Sequence, residues 1–391
     1  VTSKTLKFTI FGNEVVFGNG GLHSIPANNI YAESNDEWQL INMDGASFYP
    51  NIMLNFKCLS RAVQDPEKYA TIVKERLRLK FKEDKTPAEK ERADTYKLVL
   101  NTTFGASGNK YLPLYDKYMG LTTCRLGQII LASLANRLYK KIPDLHVLQT
   151  NTDGVLIYVK KKYIDEVKRI GTEFENIIHM TLEYDYEGRI WQRDVNNYLL
   201  TKADWDGTLD IDHDNLRYGR YLKLCGEWLQ YTWRRPGYPN IGTLQAHAAP
   251  KAAIEYLLLG KDIVKTILNN RHVEDFAIFC KKGPSFRYVV HRMADGSEVV
   301  LNRANRVYAT KDCKYEKLYK VKFRKDVKSY YAVPNMPDRC KLINEALDKV
   351  AFDDIKKELD YAYYIHLAID LLDINWTDVW GNPINKFQYE L

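Results

Sequence analysis

Two aspartates stand where apolar runs meet polar turns. Asp44 closes the run Trp38–Met43 and opens the segment Asp44-Gly45-Ala46-Ser47-Phe48-Tyr49-Pro50. Asp153 lies in Thr150-Asn151-Thr152-Asp153-Gly154, between the runs His146–Gln149 and Val155–Lys160. Carboxylates on two adjacent strand ends can bridge two Mg²⁺ ions, activate a 3′-hydroxyl and stabilise a leaving pyrophosphate. Each aspartate alone is a weak sign. Asn-Thr-Asp-Gly also suits a plain hairpin turn, and an Asp after a strand also suits a helix N-cap. Between the two aspartates lies a candidate phosphate-binding set. Lys97, Asn101 and Phe104 recur at i, i+4 and i+7, on one helix face, and Arg76 and Lys80 recur at i, i+4 on the segment before. Two such faces turned into one cleft can hold a triphosphate by charge-assisted hydrogen bonds. The plainer alternative is a solvated basic face balanced by Glu75, Glu83 and Asp84.

The elements that position these residues follow from turn and cap signals. Residues 5–17 alternate and meet Gly12-Asn13, which predicts a hairpin, and Gly18-Asn19-Gly20-Gly21 predicts a loop. Asp65-Pro66 and Thr86-Pro87-Ala88-Glu89 each predict a capped helix start, so residues 65–105 read as two helices joined by a short connector, hence antiparallel. Further helices are expected at about 120–141 and 161–178, with strands at 183–190, 197–202 and 219–224. After residue 235 the pattern changes. A long helix is expected at 248–270, a basic, tyrosine-rich strand region at 286–332, and helices at 338–350 and 353–372. A domain boundary is expected near Arg234-Arg235-Pro236-Gly237.

The 391 residues suffice for two or three domains. A hydrophobic share of 45% with 27% charged residues argues against a disordered chain. No apolar run approaches a membrane span, no secretory signal is present, and no membrane partner is expected. The six scattered cysteines form no C-x-x-C pair, which reads as a reduced chain without structural zinc. A net charge of +7 is compatible with a polyanion partner. The chain opens on Val1 and is expected to be part of something longer.

The three segments, in this order, resemble the motifs of family B DNA polymerases. Asp44–Pro50 resembles motif A (D-x-x-S-L-Y-P), Lys97–Gly105 resembles motif B (K-x-x-x-N-S-x-Y-G), and Thr150–Gly154 is similar to motif C (Y-x-D-T-D-S). The match is nearest to phage and mobile-element members. Asn196-Asn197-Tyr198, Lys223-Leu224-Cys225-Gly226 and Asp360–Ile365 extend a weaker resemblance over nearly the whole chain. It implies an α/β (α+β) right-hand polymerase. The palm is an antiparallel sheet at 1–64 and 106–234, short helical fingers span 65–105, and a mixed helix and strand thumb spans 235–391. The implied activity is addition of dNTPs to the primer 3′-end of primer–template DNA, with two Mg²⁺ ions, Mn²⁺ being an alternative.

By the same resemblance Asp44 and Asp153 are catalytic metal ligands, and the Gly45 carbonyl is a further ligand. Ser47, Phe48 and Tyr49 line the triphosphate and sugar, with Tyr49 the gate against a 2′-hydroxyl. Arg76, Lys80, Lys97 and Asn101 bind the triphosphate, and Phe104 packs by the nascent base pair. Tyr198 contacts the primer, and Lys202 or Lys223 is expected to make up for the family's lysine that Asn196 replaces. Departures from the motifs are Asn151 for the first Asp of motif C, Gly154 for Ser, Phe104 for Tyr, and Asn196 for Lys. Asn151, Gly154 and Asn196 admit a catalytically silent DNA-binding module as a rival reading, and an RNA-synthesising polymerase on the same palm is another. The interval of 53 residues from Asp44 to Lys97 is short for the family, which implies minimal fingers and favours a nucleic-acid primer. Exonuclease motifs are lacking here, so such a domain is expected upstream, on a separate chain, or not at all. The implied compartment is the cytoplasm of a bacterial host if the source is a phage.

Residues 314–328 add a candidate DNA-binding face. Lys320, Lys322 and Arg324 alternate with Val321 and Phe323, which in a strand puts three cations on one side. A duplex backbone could lie there. An edge strand guarded by lysines is the plainer reading.

Overall fold

The computed structural model describes residues 5–26, 28–207, 222–226, 245–325 and 327–384. The chain divides into two compact units, Val1–Trp205 with Trp376–Ile384, and Asp206–Asn375 with Asn385–Leu391. The boundary expected at 234–237 lies outside the described residues. Among the described residues no helix is long and apolar enough to cross a membrane.

The first unit is built on one sheet. Its strands are β1 (Leu6–Ile10), β2 (Asn13–Phe17), β3 (Leu22–Ile25), β4 (Asn29–Glu33), β5 (Trp38–Gly45), β6 (His146–Asn151), β7 (Gly154–Lys160), β8 (Leu182–Asp194) and β9 (Asn197–Lys202). They run in the order β1-β2-β3-β6-β7-β5-β8-β4, with Trp376–Thr377 added parallel to β4 and β9 paired with β8. The predicted hairpins at Gly12-Asn13 and Thr152-Asp153 are present, the first joining β1 to β2 and the second β6 to β7.

β5 sits centrally, antiparallel to β7 and to β8. Its two faces alternate, as a strand requires. Ile41 and Met43 join Val155, Ile157 and Val159 of β7 in the core. Helices α1 (Phe48–Asn55), α4 (Lys117–Lys141) and α5 (Ile164–Ile178) complete that core with Ile52, Leu131, Leu134, Leu138, Val167, Ile170 and Phe174. Burial of each such side chain contributes about 1.5–3 kcal/mol. Gly127 of α4 allows α1 to come close, since a Cβ there would stand 3.0 Å from the Phe48 ring.

Helices α2 (Pro66–Phe81) and α3 (Pro87–Ser107) pack on one another, as their short connector predicts. Both predicted caps form. The Asp65 side chain accepts from the Lys68 amide at 2.9 Å, and Thr86 with Glu89 makes a reciprocal capping box. Lys82 on the connector adds an ion pair to Glu89 at 2.6 Å.

In the second unit β10 (Leu222–Cys225) precedes two small sheets. One contains β11 (Ile278–Lys281), β14 (Ala304–Ala309) and β17 (Cys340–Leu342), in the order β11-β14-β17. The other contains β12 (Tyr288–Met293), β13 (Glu298–Leu301), β15 (Tyr315–Arg324) and β16 (Val327–Ala332), in the order β13-β12-β15-β16. Tyr364 is fully buried in this unit. Its hydroxyl donates to the Phe276 carbonyl at 2.6 Å and accepts from the Ala309 amide at 2.9 Å.

Three helical expectations here are corrected. The helix expected at 248–270 breaks into Ala248–Leu259 and Ile263–Asn269, because Gly260 turns left-handed at φ +66° and Asp262 caps a new start. Residues 338–350 hold β17 and a single 3₁₀ turn, since pairing with β14 satisfies the backbone around the buried Cys340. The stretch 353–372 is interrupted where Leu359 bridges to Thr310, and Asp360 then caps the helix Tyr361–Leu372.

Candidate active site

One row of paired residues crosses five strands of the first unit. His23 on β3 pairs with Asn151 on β6, Asn151 with Gly154 on β7, Gly154 with Asp44 on β5, and Asp44 with Glu183 on β8. Directly paired residues point to the same face of a sheet. Asp44 and Glu183 are therefore neighbours, and Asp153 stands in the turn beside them. The Gly45 amide donates to the Asp153 carbonyl at 3.0 Å, which ties the two motif ends together.

Gly154 has a steric reason in this row. A Cβ there would lie 1.9 Å from Asp44 Oδ1. The Asp44 carboxylate thus occupies the space that a side chain at 154 would fill. Its other oxygen accepts from the Asn42 amide at 2.8 Å. The strand alternation that buries Ile41 and Met43 places Asn42 and Asp44 together on the opposite face.

Strain sits on both sides of the aspartates. Thr152, a β-branched residue, has φ +63°, and Ser47 has φ +49°. Both lie in the left-handed region, which costs of order 1–3 kcal/mol each and persists where the surroundings hold it. At Ser47 the strain sets the N-terminus of α1 and leaves the hydroxyl uncommitted to capping. Arg76 Nη1 donates to that hydroxyl instead.

A cavity of about 250 Å³ collects the site. It is lined by Asp44, Gly45, Ser47, Phe48 and Tyr49 from the strand end and α1, and by Asp153 from the turn. Arg76 and Lys80 from α2, Lys97 and Asn101 from α3, and Glu183 from β8 complete the wall. The two helix faces expected from spacing therefore open on one cavity with both aspartates. Burial lowers the Arg76 guanidinium from its ordinary value, and Glu183 and Asp94 act in the opposite direction. Lys80 pairs with Glu183.

Phe104 stands just behind this wall. Its ring stacks on Tyr49, centroids 4.5 Å apart and planes within 3°. Burial, with lesser contributions from Cys124 and Asp153, pushes the Tyr49 phenol well above its ordinary value, so it stays protonated.

The acidic residues lining the cavity, Asp44, Asp153 and Glu183, offer hard oxygen donors, and Gly45 is also at the wall. Such donors suit Mg²⁺ or Mn²⁺ rather than zinc. Among the described residues no group of three or more His, Cys, Asp or Glu is arranged to hold a metal ion by itself. Two carboxylates with water and phosphate oxygens fit the way Mg²⁺ is commonly held.

Other expected site residues are not among those that line the cavity. Tyr198 on β9 is 3% exposed and offers almost no surface to a ligand in this conformation. Lys202 is engaged by Glu187 at 2.9 Å and Asp185 at 3.0 Å. In the second unit Lys223 is exposed on β10. Lys320, Lys322 and Arg324 alternate along β15, where Val321 is buried and Lys322 and Arg324 are exposed. Lys320 lies 5.6 Å from the Phe286 ring centre. β15 pairs with β12 on one side and β16 on the other, so the reading of a lysine-guarded edge strand is corrected.

Three participants escaped the sequence reading. Glu183 lies far along the chain from both motifs, and only the β5–β8 register reveals it. His23 pairs with Asn151, and its Nδ1 has no hydrogen-bond partner. Gln128 of α4 donates to the carbonyls of Gly18 and Gly20 at 2.9 and 2.6 Å, pinning the glycine loop. Gly21 at its end lies against the Thr152–Asp153 turn, where a Cβ would stand 2.7 Å from Thr152 Cα.

No protein-family model matches the sequence. No curated protein matches it either. Among solved structures, the chain is similar to the family B DNA polymerase from the hyperthermophilic archaeon Pyrobaculum calidifontis, at 13% identity and a TM-score of 0.47. The likeness covers 88% of this chain and 46% of that one, so the chain spans less than half of that polymerase's length. At that level the likeness says nothing of activity.

Proposed function

We propose that this chain is a DNA-directed DNA polymerase core, a nucleotidyltransferase that extends the 3′-end of a primer on a DNA template. One observation carries the reading: Asp44 and Asp153 share a cavity with Ser47, Arg76, Lys80, Lys97 and Asn101. The three ordered motifs support it independently. On this reading the first unit supplies palm and fingers, and the cationic strand of the second belongs to a thumb.

The substrates would be a dNTP and primer–template DNA. Arg76, Lys80, Lys97 and Asn101 would grip the triphosphate by charge-assisted hydrogen bonds, with the Ser47 hydroxyl beside it. Asp44 and Asp153, with the Gly45 carbonyl, would hold divalent cations. Such ions, when bound, supply Lewis acidity at the attacking and leaving oxygens. The Tyr49 ring, backed by Phe104, would stand under the sugar and exclude a 2′-hydroxyl, which disfavours ribonucleotide use. Positioning and charge neutralisation would provide most of the rate.

The rival reading, a silent DNA-binding module, draws on the neutral Asn151 and on Glu183 being occupied by Lys80. Primer extension with Mg²⁺ and dNTPs separates the two when the parent is run beside Asp153→Asn. Extension by the parent alone supports the proposal. Tight DNA binding without extension by either, even with an upstream domain supplied, refutes it.

A further inference from the structure

We infer that the loop between α3 and α4 and the first turn of α4, with Arg61, form a stacking platform for single-stranded nucleic acid. The inference rests on the polymerase reading, in which a template runs single-stranded ahead of the primer end.

The loop and the first turn of α4 expose aromatic rings that the core does not use. Tyr111 is 81% and Tyr118 68% exposed, and Tyr115 is also exposed. A single exposed ring is ordinary on a protein surface, but three between Tyr111 and Tyr118 make a candidate contact surface. Cations are interleaved with them. Lys110 stands 4.9 Å from the centre of the Tyr111 ring, and the Arg61 guanidinium 5.9 Å from that of Tyr118. Lys117 is exposed between Asp116 and Tyr118. From Gly108 to Tyr118 the only acid is Asp116, which already serves Arg61. The surface presented is therefore aromatic and positive. Single-stranded nucleic acid is read this way: bases stack on rings, and phosphates meet Lys and Arg.

The loop is also tied down by hydrogen bonds, which lowers the entropic cost of ordering it on binding. Arg61 forks onto Asp116, Nε to Oδ2 at 2.8 Å and Nη2 to Oδ1 at 2.9 Å. Ser60 Oγ donates to the Leu114 carbonyl at 2.9 Å, and the Asp116 amide to the Ser107 carbonyl at 2.9 Å. Turns at Asn109–Leu112 and Leu112–Tyr115 close the remainder. The side chain of Asp116 also caps α4.

Its place in the chain fits a template. The platform begins four residues after Phe104, which stacks on Tyr49 at the cavity. Ser107, the last residue of α3, donates its hydroxyl back to the Phe104 carbonyl at 2.6 Å. The ring expected beside the nascent base pair and the exposed rings thus lie on one continuous, hydrogen-bonded stretch of chain.

The test is fluorescence anisotropy of labelled oligothymidylate with the full chain, beside a blunt-ended DNA duplex. The variants are Tyr111→Ala with Tyr118→Ala, and Tyr111→Phe with Tyr118→Phe. Each lost stack is expected to weaken oligothymidylate binding about 5- to 150-fold, with the salt slope and the melting temperature unchanged. The phenylalanine pair is expected to bind as the parent does, because the ring face is kept. Equal binding by parent and alanine pair overturns the inference and leaves the polymerase reading standing. Binding of duplex but not of oligothymidylate by the parent also overturns the inference alone. Binding of neither overturns the inference, and primer extension then decides the polymerase reading separately.

Discussion

A methyl group at position 154 collides with the Asp44 carboxylate. The added Cβ would stand 1.9 Å from Oδ1 and 3.1 Å from Cγ, where ordinary contact begins near 3.4 Å. The oxygen therefore has to withdraw by about 1.5 Å. The Asn42 amide, 2.8 Å from the other oxygen, has to follow or let go. Misplacing a reacting group by about 1 Å costs on the order of 100-fold. Gly154→Ala is thus expected to lower kcat/KM for single-nucleotide addition at least about 100-fold, or about 2.7 kcal/mol. Folding should be little affected, because the displaced carboxylate can swing toward the cavity water. Single-turnover primer extension reads the rate, and a thermal melt reads the fold. Gly154→Ser should behave alike, although serine is what the resembling motif carries there. The reasoning is refuted if Gly154→Ala extends primers at the parental rate. It is equally refuted if activity is lost only because the chain unfolds.

Two further outcomes follow from particular contacts. Tyr49→Ala removes the ring that stacks on Phe104 at 4.5 Å, and discrimination against ribonucleotides should fall by about tenfold or more in incorporation assays. Unchanged discrimination would dismiss Tyr49 as the gate. The Asp116 carboxyl is held well below the usual carboxylate range, first by its hydrogen bonds from Arg61. A depressed folded-state pKa gives stability that is present above the unfolded value and lost as pH falls toward the folded one. Asp116→Asn should therefore melt below the parent at pH 7, and the gap should narrow as pH drops below about 4. A gap that stays constant into acid would count against the Arg61 fork as its source.

Local rules carried the reading of this protein a long way. The strand ending at Asp44, the hairpin at Asp153 and the capped helices α2 and α3 all obey short-range chemistry: alternation, Asx turns and a capping box. Helical spacing put Lys97 and Asn101 on one face, and Arg76 and Lys80 on another, and both faces line the cavity. What local rules missed depends on register and contact. Glu183 became a neighbour of Asp44 only when β8 paired with β5. Gly154 read as a loss of serine until the Asp44 carboxylate was found in its place. Tyr198 looked available in sequence, yet β9 buries it. The long helix expected across Gly260 failed because a single left-handed residue outweighed helical spacing on both sides. Residue types and their spacing along the chain determined which groups could do the chemistry. Only the tertiary structure decided which of them meet, because strand pairing joins residues that are distant in sequence and no local preference encodes its register.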